Sequence, residues 1–523
     1  MKILFIFYEE PTNPASFPLG AGLLSALLKR NGHVVSGMHI HEDLGTPGVL
    51  ERLAAGVKQF GPHLLAYSCT SPAFEGIKTI ARRLRSQSST PSICGGAHPT
   101  LYPEDTLAAE GIDYVCVGEG EVSFVEFVSA LEKGEDCSRI PGIYSMRGSD
   151  QLVKNRLRPL VQDLDSLPWI DYDVFGKPYI EKETRDGWLR HISSRGCPYN
   201  CSYCHTPMFR RVYADGCGVA EGKLGYVRFR SVDSLLDELQ DMVREYDLKV
   251  INFMDDLFCL KRHRTLEFCR EFKKRLPLHV GYSIQTHLQH LDDEVVAALR
   301  DSRCLRVVVG VESGSQRILD LFNRKTSPEK MKEKLSLLVK ARFPLGTWSL
   351  NMLGNPTETQ EEMIQTLALN ARLLVERVKI NIMAPYPKSA IYDFCVAKDL
   401  FSGDVDNQEF RDRSVTKLKF PDAEQAFLEK FLDIGHWYLN LAAPLGLETH
   451  YRPLIDAVER IGPGRWDSER ERYLEIDARL SDSLRKERTA FYNFMFRGLV
   501  YSNVIGLIKD SQDVPPDIAD QHD

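Results

Sequence analysis

The sequence predicts an α/β protein with an N-terminal doubly wound parallel sheet, a central partial (β/α)6 barrel and a helical C-terminal domain. Two observations predict this arrangement. Short, continuous apolar runs alternate with amphipathic stretches over the first two regions, which is typical of parallel strands that helices cover on both faces. After about residue 390 the strand pattern stops, and apolar residues recur at helical spacing instead.

Candidate strands come from the apolar runs. In the N-terminal region they are residues 2–7, 33–40, 63–69, 91–96 and 113–118, and in the central region they are residues 191–194, 249–254, 279–284, 305–311, 346–353 and 379–384. Helices fit between them, and the clearest has Ser231 as N-cap before apolar residues at helical spacing. Ligands of parallel sheets and barrels bind at the carboxyl ends of strands, so we expect functional residues there.

Length and composition set the number of domains. The chain has 523 residues, 43% of them hydrophobic and 27% charged, which is an ordinary globular composition for about three domains. This composition excludes disorder, collagen and coiled coil as the main architecture. We place an N-terminal domain at residues 1–135, a linker at 136–185, the barrel at 186–390 and the C-terminal domain at 391–523.

Charge and hydropathy restrict the partners and the compartment. A formal net charge of −7 leaves no global positive field for nucleic acid, so no nucleic-acid partner is expected. The apolar run at the N-terminus is too short for a signal peptide, and no run reaches the length of a membrane span. We therefore expect a cytoplasmic protein, in which the 12 cysteines stay reduced.

The strongest motif is a loop of three cysteines, Arg195-Gly-Cys197-Pro-Tyr-Asn-Cys201-Ser-Tyr-Cys204, directly after the first strand of the central region. Three thiolates at this spacing can ligate three irons of a cubane cluster and leave the fourth iron open to a chelating ligand. The alternative, a zinc knuckle, needs a fourth ligand, and His205 is poorly placed for it because it adjoins Cys204. The other cysteines have no ligand-like spacing, so a second cluster is not predicted.

The CxxxCxxC motif with an aromatic residue, Tyr203, before its last cysteine resembles the radical S-adenosylmethionine (SAM) superfamily. The resemblance implies a [4Fe–4S] cluster on the three cysteines, with SAM on the open iron. Later segments at strand ends are similar to the family's SAM-binding segments, among them an ESG segment and a GxPxE-like turn. The residues assigned to SAM in this way are Tyr203, Asp255, Asp256, Glu312, Ser313, Gly354, Glu358 and Ala384. Taken singly, each of the downstream motifs also fits a helix cap, a turn or a buried acid.

The N-terminal region resembles the Rossmann-like cobalamin (B12)-binding domain that precedes many radical SAM domains. The resemblance rests on the order of three segments, CGGAHPT at residues 94–100, PED at 103–105 and DYVCVGEGE at 113–121. It implies that cobalamin lies across the carboxyl ends of the strands. The residues assigned to cobalamin are Ser68, Thr70, Ser71, Gly95, Gly96, His98, Pro99, Thr100, Gly118, Glu119 and Gly120. A degenerate domain that binds no cobalamin is the alternative.

One motif of the wider cobalamin family is absent. Proteins that replace the lower cobalt ligand with histidine carry DxHxxG, and the nearest segment here runs from His39 to Gly45 with mismatches at two of the motif positions. We therefore predict no histidine-ligated cobalt. His39 and His41 are expected to be exposed loop residues, and His98 is expected to be a structural or contact residue rather than a cobalt ligand.

The combined resemblance is to class B radical SAM methyltransferases. It implies that SAM is cleaved to a 5′-deoxyadenosyl radical and that methylcobalamin methylates an unactivated carbon. Two alternatives stay open: a radical cyclase, ring-rearranging or oxidising enzyme with the same cofactors, and a non-catalytic iron–sulfur and corrinoid binding protein. We expect a small-molecule or peptide substrate and an electron donor such as flavodoxin or ferredoxin. The sequence identifies no catalytic acid or base.

Overall fold

The computed structural model describes residues 1–11, 17–148, 151–403, 416–487, 490–495 and 503–508. The chain forms two compact units, the first from Met1–Pro198 and His205–Lys249 and the second from Tyr199–Cys204 and Val250–Asp523. Each unit contains strands hydrogen-bonded into a sheet, with helices between them in the chain. The predicted α/β class is therefore confirmed.

The first unit is built on a mainly parallel sheet. Its strands are β1 (Lys2–Tyr8), β2 (Val34–Ile40), β3 (Leu64–Ser68), β4 (Ser92–Gly95), β5 (Tyr114–Cys116), β6 (Ile143–Arg147), β7 (Gln151–Val153), β8 (Trp188–His191), β9 (Ser194–Arg195) and β10 (Arg228–Phe229). The first seven form a sheet in the order β2-β1-β3-β4-β5-β6-β7, in which β1 to β5 are parallel. Strands β9 and β10 form a separate antiparallel pair.

Burial explains why the strands of this sheet are continuous apolar runs. In β1, the four consecutive residues from Ile3 to Ile6 are at most 3% exposed, because both faces of the sheet are covered. The helices of the unit are α1 (Leu19–Arg30), α2 (Val49–Phe60), α3 (Phe74–Arg85), α4 (Ala97–Leu101), α5 (Pro103–Ala108), α6 (Gly120–Lys133), α7 (Lys177–Glu183), α8 (Thr206–Cys217) and α9 (Val232–Tyr246). The predicted N-cap is confirmed, since the Ser231 hydroxyl accepts a hydrogen bond of 3.2 Å from the Ser234 amide.

Strands β6 and β7 lie in the segment that the sequence analysis treats as a linker. Strand β6 pairs antiparallel with β5, and β7 pairs antiparallel with β6. Antiparallel strands with one solvated face alternate between buried and exposed residues, and β6 follows this pattern over its first three residues, of which Ile143 and Ser145 are buried and Tyr144 is partly exposed. Because this segment has no continuous apolar run, its strands are not evident from the sequence.

The second unit contributes a second sheet. Its strands are β11 (Val250–Phe253), β12 (Gly281–Thr286), β13 (Cys304–Glu312), β14 (Thr347–Leu353), β15 (Arg377–Ile382), β16 (Ala490–Met495) and β17 (Asn503–Ile508). They lie in the order β16-β17-β15-β14-β13-β12-β11. Strands β11 to β15 are parallel and match five of the six strands predicted for the central region, with boundaries that differ by one or two residues.

Helices surround the strands of the second unit and dominate its C-terminal part. They are α10 (Arg262–Arg275), α11 (Asp293–Asp301), α12 (Gln316–Leu321), α13 (Pro328–Ala341), α14 (Gln360–Arg372), α15 (Ala390–Ala397), α16 (Asp422–Ala442), α17 (Glu448–Val458) and α18 (Trp466–Glu487). Within the described ranges, none of the helices is long and apolar enough to cross a membrane.

The C-terminal region is helical as predicted over α16 to α18, but strands β16 and β17 follow. Strand β17 pairs antiparallel with β15, and β16 pairs antiparallel with β17. Short apolar segments such as AFYNFM do not distinguish a strand from a buried helix by periodicity, so the prediction of helices alone was incomplete here. Residues 509–523 of the predicted C-terminal domain lie outside the described part of the chain.

The turn between β14 and α14 contains a fully buried acid. One carboxylate oxygen of Glu358 accepts hydrogen bonds of 2.9 Å from the backbone amide and from the side-chain amide of Asn355. The other oxygen is buried without a hydrogen-bond partner in the described part of the chain. Burial raises the pKa of Glu358 to about 8, although the hydrogen bonds from Asn355 oppose this shift. Thr359 and Glu362 then form a capping box that starts α14.

We predict that Glu358→Gln reduces the pH dependence of the free energy of unfolding. Because the native pKa is raised from 4.5 to about 8, the neutral acid is the stabilising form, and its contribution is lost as the pH rises through about 8. The loss reaches up to about 1.4 kcal/mol per pH unit. Urea unfolding between about pH 5 and pH 8 should show a smaller decline in the variant than in the wild type.

The exposed neighbour Glu361 provides the matched control, since Glu361→Gln makes the same chemical change at the surface of α14. This control should keep the decline of the wild type. Equal declines in the wild type and in Glu358→Gln would show that Glu358 is ionised in the folded protein at neutral pH.

Candidate cofactor sites

A cavity of about 340 Å³ lies at the carboxyl ends of the parallel strands of the first unit. Of the residues assigned to cobalamin, those that line it are Ser68, Gly95, Gly96, Gly118, Glu119 and Gly120. The glycine at position 96 is required there, because its φ of +109° is left-handed and a Cβ would lie 2.7 Å from the carbonyl oxygen of Cys69. This end of the sheet is where a parallel α/β fold binds its ligands.

Most of the cavity wall is apolar, and no motif in the sequence indicates the residues that form it. Side chains from α1, from α6 and from the segments before β8 and β9 contribute Leu19, Leu23, Leu24, Phe124, Ile170 and Ile192. They belong to ordinary amphipathic helices and loops, so no local pattern separates them from core residues. The one local signal is the Pro18-Leu19-Gly20 segment, which begins α1 with Pro18 as its N-cap.

A buried network of charged groups forms one side of the cavity. Glu119 lies 3.0 Å from Arg195 and 2.7 Å from Arg228, and Arg195 also lies 2.6 Å from Glu121. Burial opposes ionisation of Glu119, but the hydrogen bond from Arg228 and the charge of Arg195 outweigh it and keep its pKa below the usual value. The Glu119 backbone amide donates to the Tyr213 hydroxyl, which ties the network to α8.

The network contains one acceptor that the described residues do not satisfy. Glu121 lines the cavity, and its second carboxylate oxygen is buried without a hydrogen-bond partner among the described residues. A buried acceptor without a donor is costly, so a ligand that carries N–H groups is favoured at this position. The amide groups around a corrin ring provide such donors, and the residues of the cavity therefore fit cobalamin.

The other residues assigned to cobalamin do not line the cavity. They are Thr70, Ser71, His98, Pro99 and Thr100. The His98 ring is stacked between Phe74 at 3.9 Å and Tyr102 at 5.1 Å, and it lies 3.1 Å from the Ser71 hydroxyl. Burial lowers the pKa of His98 to about 4. This placement agrees with the interpretation of His98 as a structural or contact residue.

The expectation that His39 is an exposed loop residue is wrong. His39 belongs to β2, and its side chain is only 2% exposed. Its ring packs against Phe7, Phe175 and Tyr179, and Glu9 lies 3.5 Å from its Nε2. The sequence could not place the segment that carries Phe175 and Tyr179, so it did not reveal what covers the strand. His41 follows β2 in a loop and is half-buried.

Of the three cysteines of the loop, Cys201 is buried and the other two are partly exposed. The Cys197 carbonyl accepts a hydrogen bond of 2.9 Å from Arg210. Across the described residues, no three His, Cys, Asp or Glu side chains are arranged around a single metal ion. The irons of a cubane each bind a different thiolate, so the cysteines of such a cluster need not converge on one point. The all-thiolate donor set fits an iron–sulfur cluster.

Arg324 connects the cysteine loop to the end of β13 within the second unit. Its guanidinium donates to the Tyr203 hydroxyl at 3.0 Å and to the Gly310 carbonyl at 2.6 Å, and it lies 3.8 Å from Glu312. Burial raises the pKa of Cys201, while the charge of Arg324 opposes this shift and favours the thiolate. Arg324 was missed because a single arginine after a short helix forms no motif.

The remaining residues assigned to SAM differ in their surroundings. Ser313 is buried, and its hydroxyl lies 3.3 Å from that of Thr366. Asp255 is buried and Asp256 is exposed, although both follow β11. Gly354 and Glu358 share the turn before α14, while the half-buried Ala384 follows β15. The structure thus brings Tyr203 and Glu312 together through Arg324, and the SAM-binding role of all eight assigned residues stays a prediction.

Two family models match the chain. Residues 14–128 match the B12 binding domain, and residues 191–369 match the radical SAM superfamily. An uncharacterized methyltransferase of Pyrococcus horikoshii is 28% identical over 412 residues, which cover 76% of this chain and 84% of that protein. The anaerobic magnesium-protoporphyrin IX monomethyl ester cyclase of Cereibacter sphaeroides is 24% identical, over 75% of this chain and 63% of the cyclase.

Two solved structures share the fold. The cobalamin-dependent SAM radical enzyme OxsB has a TM-score of 0.64 at 15% identity, over 88% of this chain and 71% of OxsB. The radical SAM methyltransferase TsrM from Kitasatospora setae has a TM-score of 0.60 at 16% identity, over 76% of this chain and 75% of TsrM. The cofactors of the two matched domain families are a [4Fe–4S] cluster, SAM and cobalamin, which confirms the predicted cofactors. The chain therefore combines a B12-binding domain with a radical SAM domain that follows it.

Proposed function

We propose that this enzyme is a cobalamin-dependent methyltransferase that methylates an unactivated carbon of a small molecule or peptide. The observation that carries the proposal is the open cavity at the carboxyl ends of β3, β4 and β5. A degenerate domain would fill this space with side chains, since protein interiors are close-packed. The similarity to an uncharacterized methyltransferase supports the same conclusion.

In this proposal, Cys197, Cys201 and Cys204 hold the cluster, and the cavity of the first unit holds part of the corrinoid. When bound, the cofactors supply the one-electron chemistry that activates a carbon–hydrogen bond and the methyl group that replaces the hydrogen. The chain's own residues hold and orient these groups. Arg324 favours the thiolate of Cys201 and fixes Tyr203 beside it.

The wall of the cavity has a second role in the proposed reaction. Leu23, Leu24 and Phe124 present apolar surface, which excludes water from a bound corrinoid. Arg195 and Glu119 are held by their mutual ion pair, so the polar side of the cavity is preorganised before any ligand binds. These residues position the cofactor and need not take part in proton transfer.

A second function is favoured by one observation. The protein is also similar to an anaerobic magnesium-protoporphyrin IX monomethyl ester cyclase, over 75% of its length. A radical cyclisation or oxidation would use the same cofactors without transfer of a methyl group. The electron donor, such as flavodoxin or ferredoxin, and the cytoplasmic location remain predictions under either function.

We predict that Cys201→Ala abolishes cluster assembly and SAM cleavage. Removal of one of three thiolates should lower the iron content of the anaerobically reconstituted protein from about four atoms to below about one per chain. Cys217→Ala is the control, because Cys217 is a free thiol outside the motif and should leave the iron content unchanged. If Cys201→Ala kept the iron and the SAM cleavage of the wild type, the assignment of the cluster would be wrong.

A side chain placed in the cavity should displace cobalamin. Gly95 lines the cavity, and a Cβ at this position meets no atom closer than 3.7 Å, so Gly95→Leu is tolerated by the backbone but fills the ligand space. We expect about tenfold weaker retention of hydroxocobalamin, measured by corrin absorbance after desalting. Gly222→Leu adds the same side chain at an open position away from the cavity and should retain cobalamin fully.

The proposed function and its alternative give different products. Anaerobic, cluster-reconstituted and cobalamin-loaded protein, given SAM, a reductant and candidate substrates, should release 5′-deoxyadenosine and S-adenosylhomocysteine together, as measured by mass spectrometry. Formation of 5′-deoxyadenosine alone would favour cyclisation or oxidation. Absence of both products would leave a binding protein without turnover.

A further inference from the structure

Arg195 joins the charged side of the cavity to the start of the cysteine loop. It lines the cavity, and it precedes Cys197 by two residues. One guanidinium nitrogen lies 3.0 Å from Glu119 and the other lies 2.6 Å from Glu121. Because the guanidinium is a rigid planar fork, it holds both carboxylates in one geometry, which an ammonium group could not do.

Glu121 is the member of this network that combines a place in the cavity wall with an unsatisfied carboxylate oxygen. Its side chain is 7% exposed, and one of its carboxylate oxygens accepts the hydrogen bond from Arg195. The other oxygen is buried without a partner in the described part of the first unit, and the residue lines the cavity. A corrinoid amide that donates a hydrogen bond to this oxygen would act on the same carboxylate that binds Arg195. Glu121 was not among the residues that the sequence analysis assigned to cobalamin.

The short chain between Arg195 and Cys197 has little freedom to absorb such a movement. Arg195 pairs with Arg228 in the β9–β10 ladder. Gly196 has a left-handed φ of +85°, and a Cβ there would collide with the Tyr226 carbonyl. The Cys197 carbonyl is held by Arg210 at 2.9 Å. These contacts tie the position of Cys197 to that of the Arg195 backbone.

We propose that Arg195 is a positioning residue that couples occupation of the corrinoid cavity to the placement of Cys197 for cluster binding. This inference rests on the proposed corrinoid site and goes beyond it. Coupling between two binding sites is reciprocal, so the cluster must change the affinity for cobalamin by the same factor as cobalamin changes the affinity for the cluster. The two cofactors then load cooperatively rather than independently.

The coupling can be measured by titrating hydroxocobalamin into the full-length protein with and without its cluster, followed by corrin absorbance. We expect the cluster to tighten cobalamin binding in the wild type by about fivefold or more, which is the usual range of such couplings. The coupling ratio is the dissociation constant of cobalamin without the cluster divided by that with the cluster. In Arg195→Gln this ratio should fall to about one. Arg195→Lys keeps the charge but reaches a single carboxylate, so its ratio should lie between those of the wild type and Arg195→Gln.

A spectroscopic measurement separates positioning from a general loss of structure. In the wild type, addition of cobalamin should change the electron paramagnetic resonance spectrum of the reduced cluster, and in Arg195→Gln it should not. Arg158→Gln is the matched control, since Arg158 forms an ion pair with Glu126 at 2.6 Å in the same unit but does not line the cavity. This control should keep the ratio and the spectral change of the wild type.

The variant Glu121→Gln provides the same test if Arg195→Gln fails to fold. It keeps the shape of the side chain but removes the charge that holds Arg195, and the coupling ratio should again fall towards one. A wild type that binds both cofactors with a ratio of one would overturn the coupling alone. A wild type that binds no cobalamin would overturn the proposed function and the coupling together.

Discussion

The pairing of Glu119 with Arg195 and Arg228 is the interaction on which the first unit depends. Two guanidinium groups and two carboxylates lie at one end of the sheet, with Arg228 buried and the other three partly exposed, and every one of the four makes an ion pair within the group. Loss of Glu119 would leave the guanidinium of Arg228, whose side chain is 4% exposed, without its carboxylate partner. Three of these charged residues, Glu119, Glu121 and Arg195, also line the cavity, so the same ion pairs hold the polar part of its wall in place.

A similar arrangement recurs in the second unit on a smaller scale. Arg324 holds Tyr203, the Gly310 carbonyl and Glu312, and thereby attaches the cysteine loop to the end of β13. Glu312 has a left-handed φ of +68°, which is costly for a residue with a side chain. Such backbone geometry persists only where the surroundings hold it in place, and the contact with Arg324 is part of that support. In both units an arginine therefore links a strand end to the cysteine loop or to the strand directly before it.

The features that the sequence predicts well are those encoded by local pattern. The continuous apolar runs of β1 and β13 and the spacing of the three cysteines need no knowledge of distant neighbours. The features that it misses depend on partners far away in the chain. Arg195 is recognisable only beside Glu119 and Glu121, and β17 only beside β15. The leucines of α1 have the spacing of an ordinary amphipathic helix, and only the structure shows that they line a cavity.

The position of β17 beside β15 also has a consequence for the biosynthesis of the protein. Residues Arg377 to Ile380 of β15 pair with residues Asn503 to Gly506, which are translated more than a hundred residues later. Until that segment leaves the ribosome, β15 is an unpaired sheet edge, and such edges recruit strands from other chains. Long-range pairing of this kind is also slow to form. The nascent chain should therefore be most vulnerable to aggregation while its helices α16 to α18 are being made.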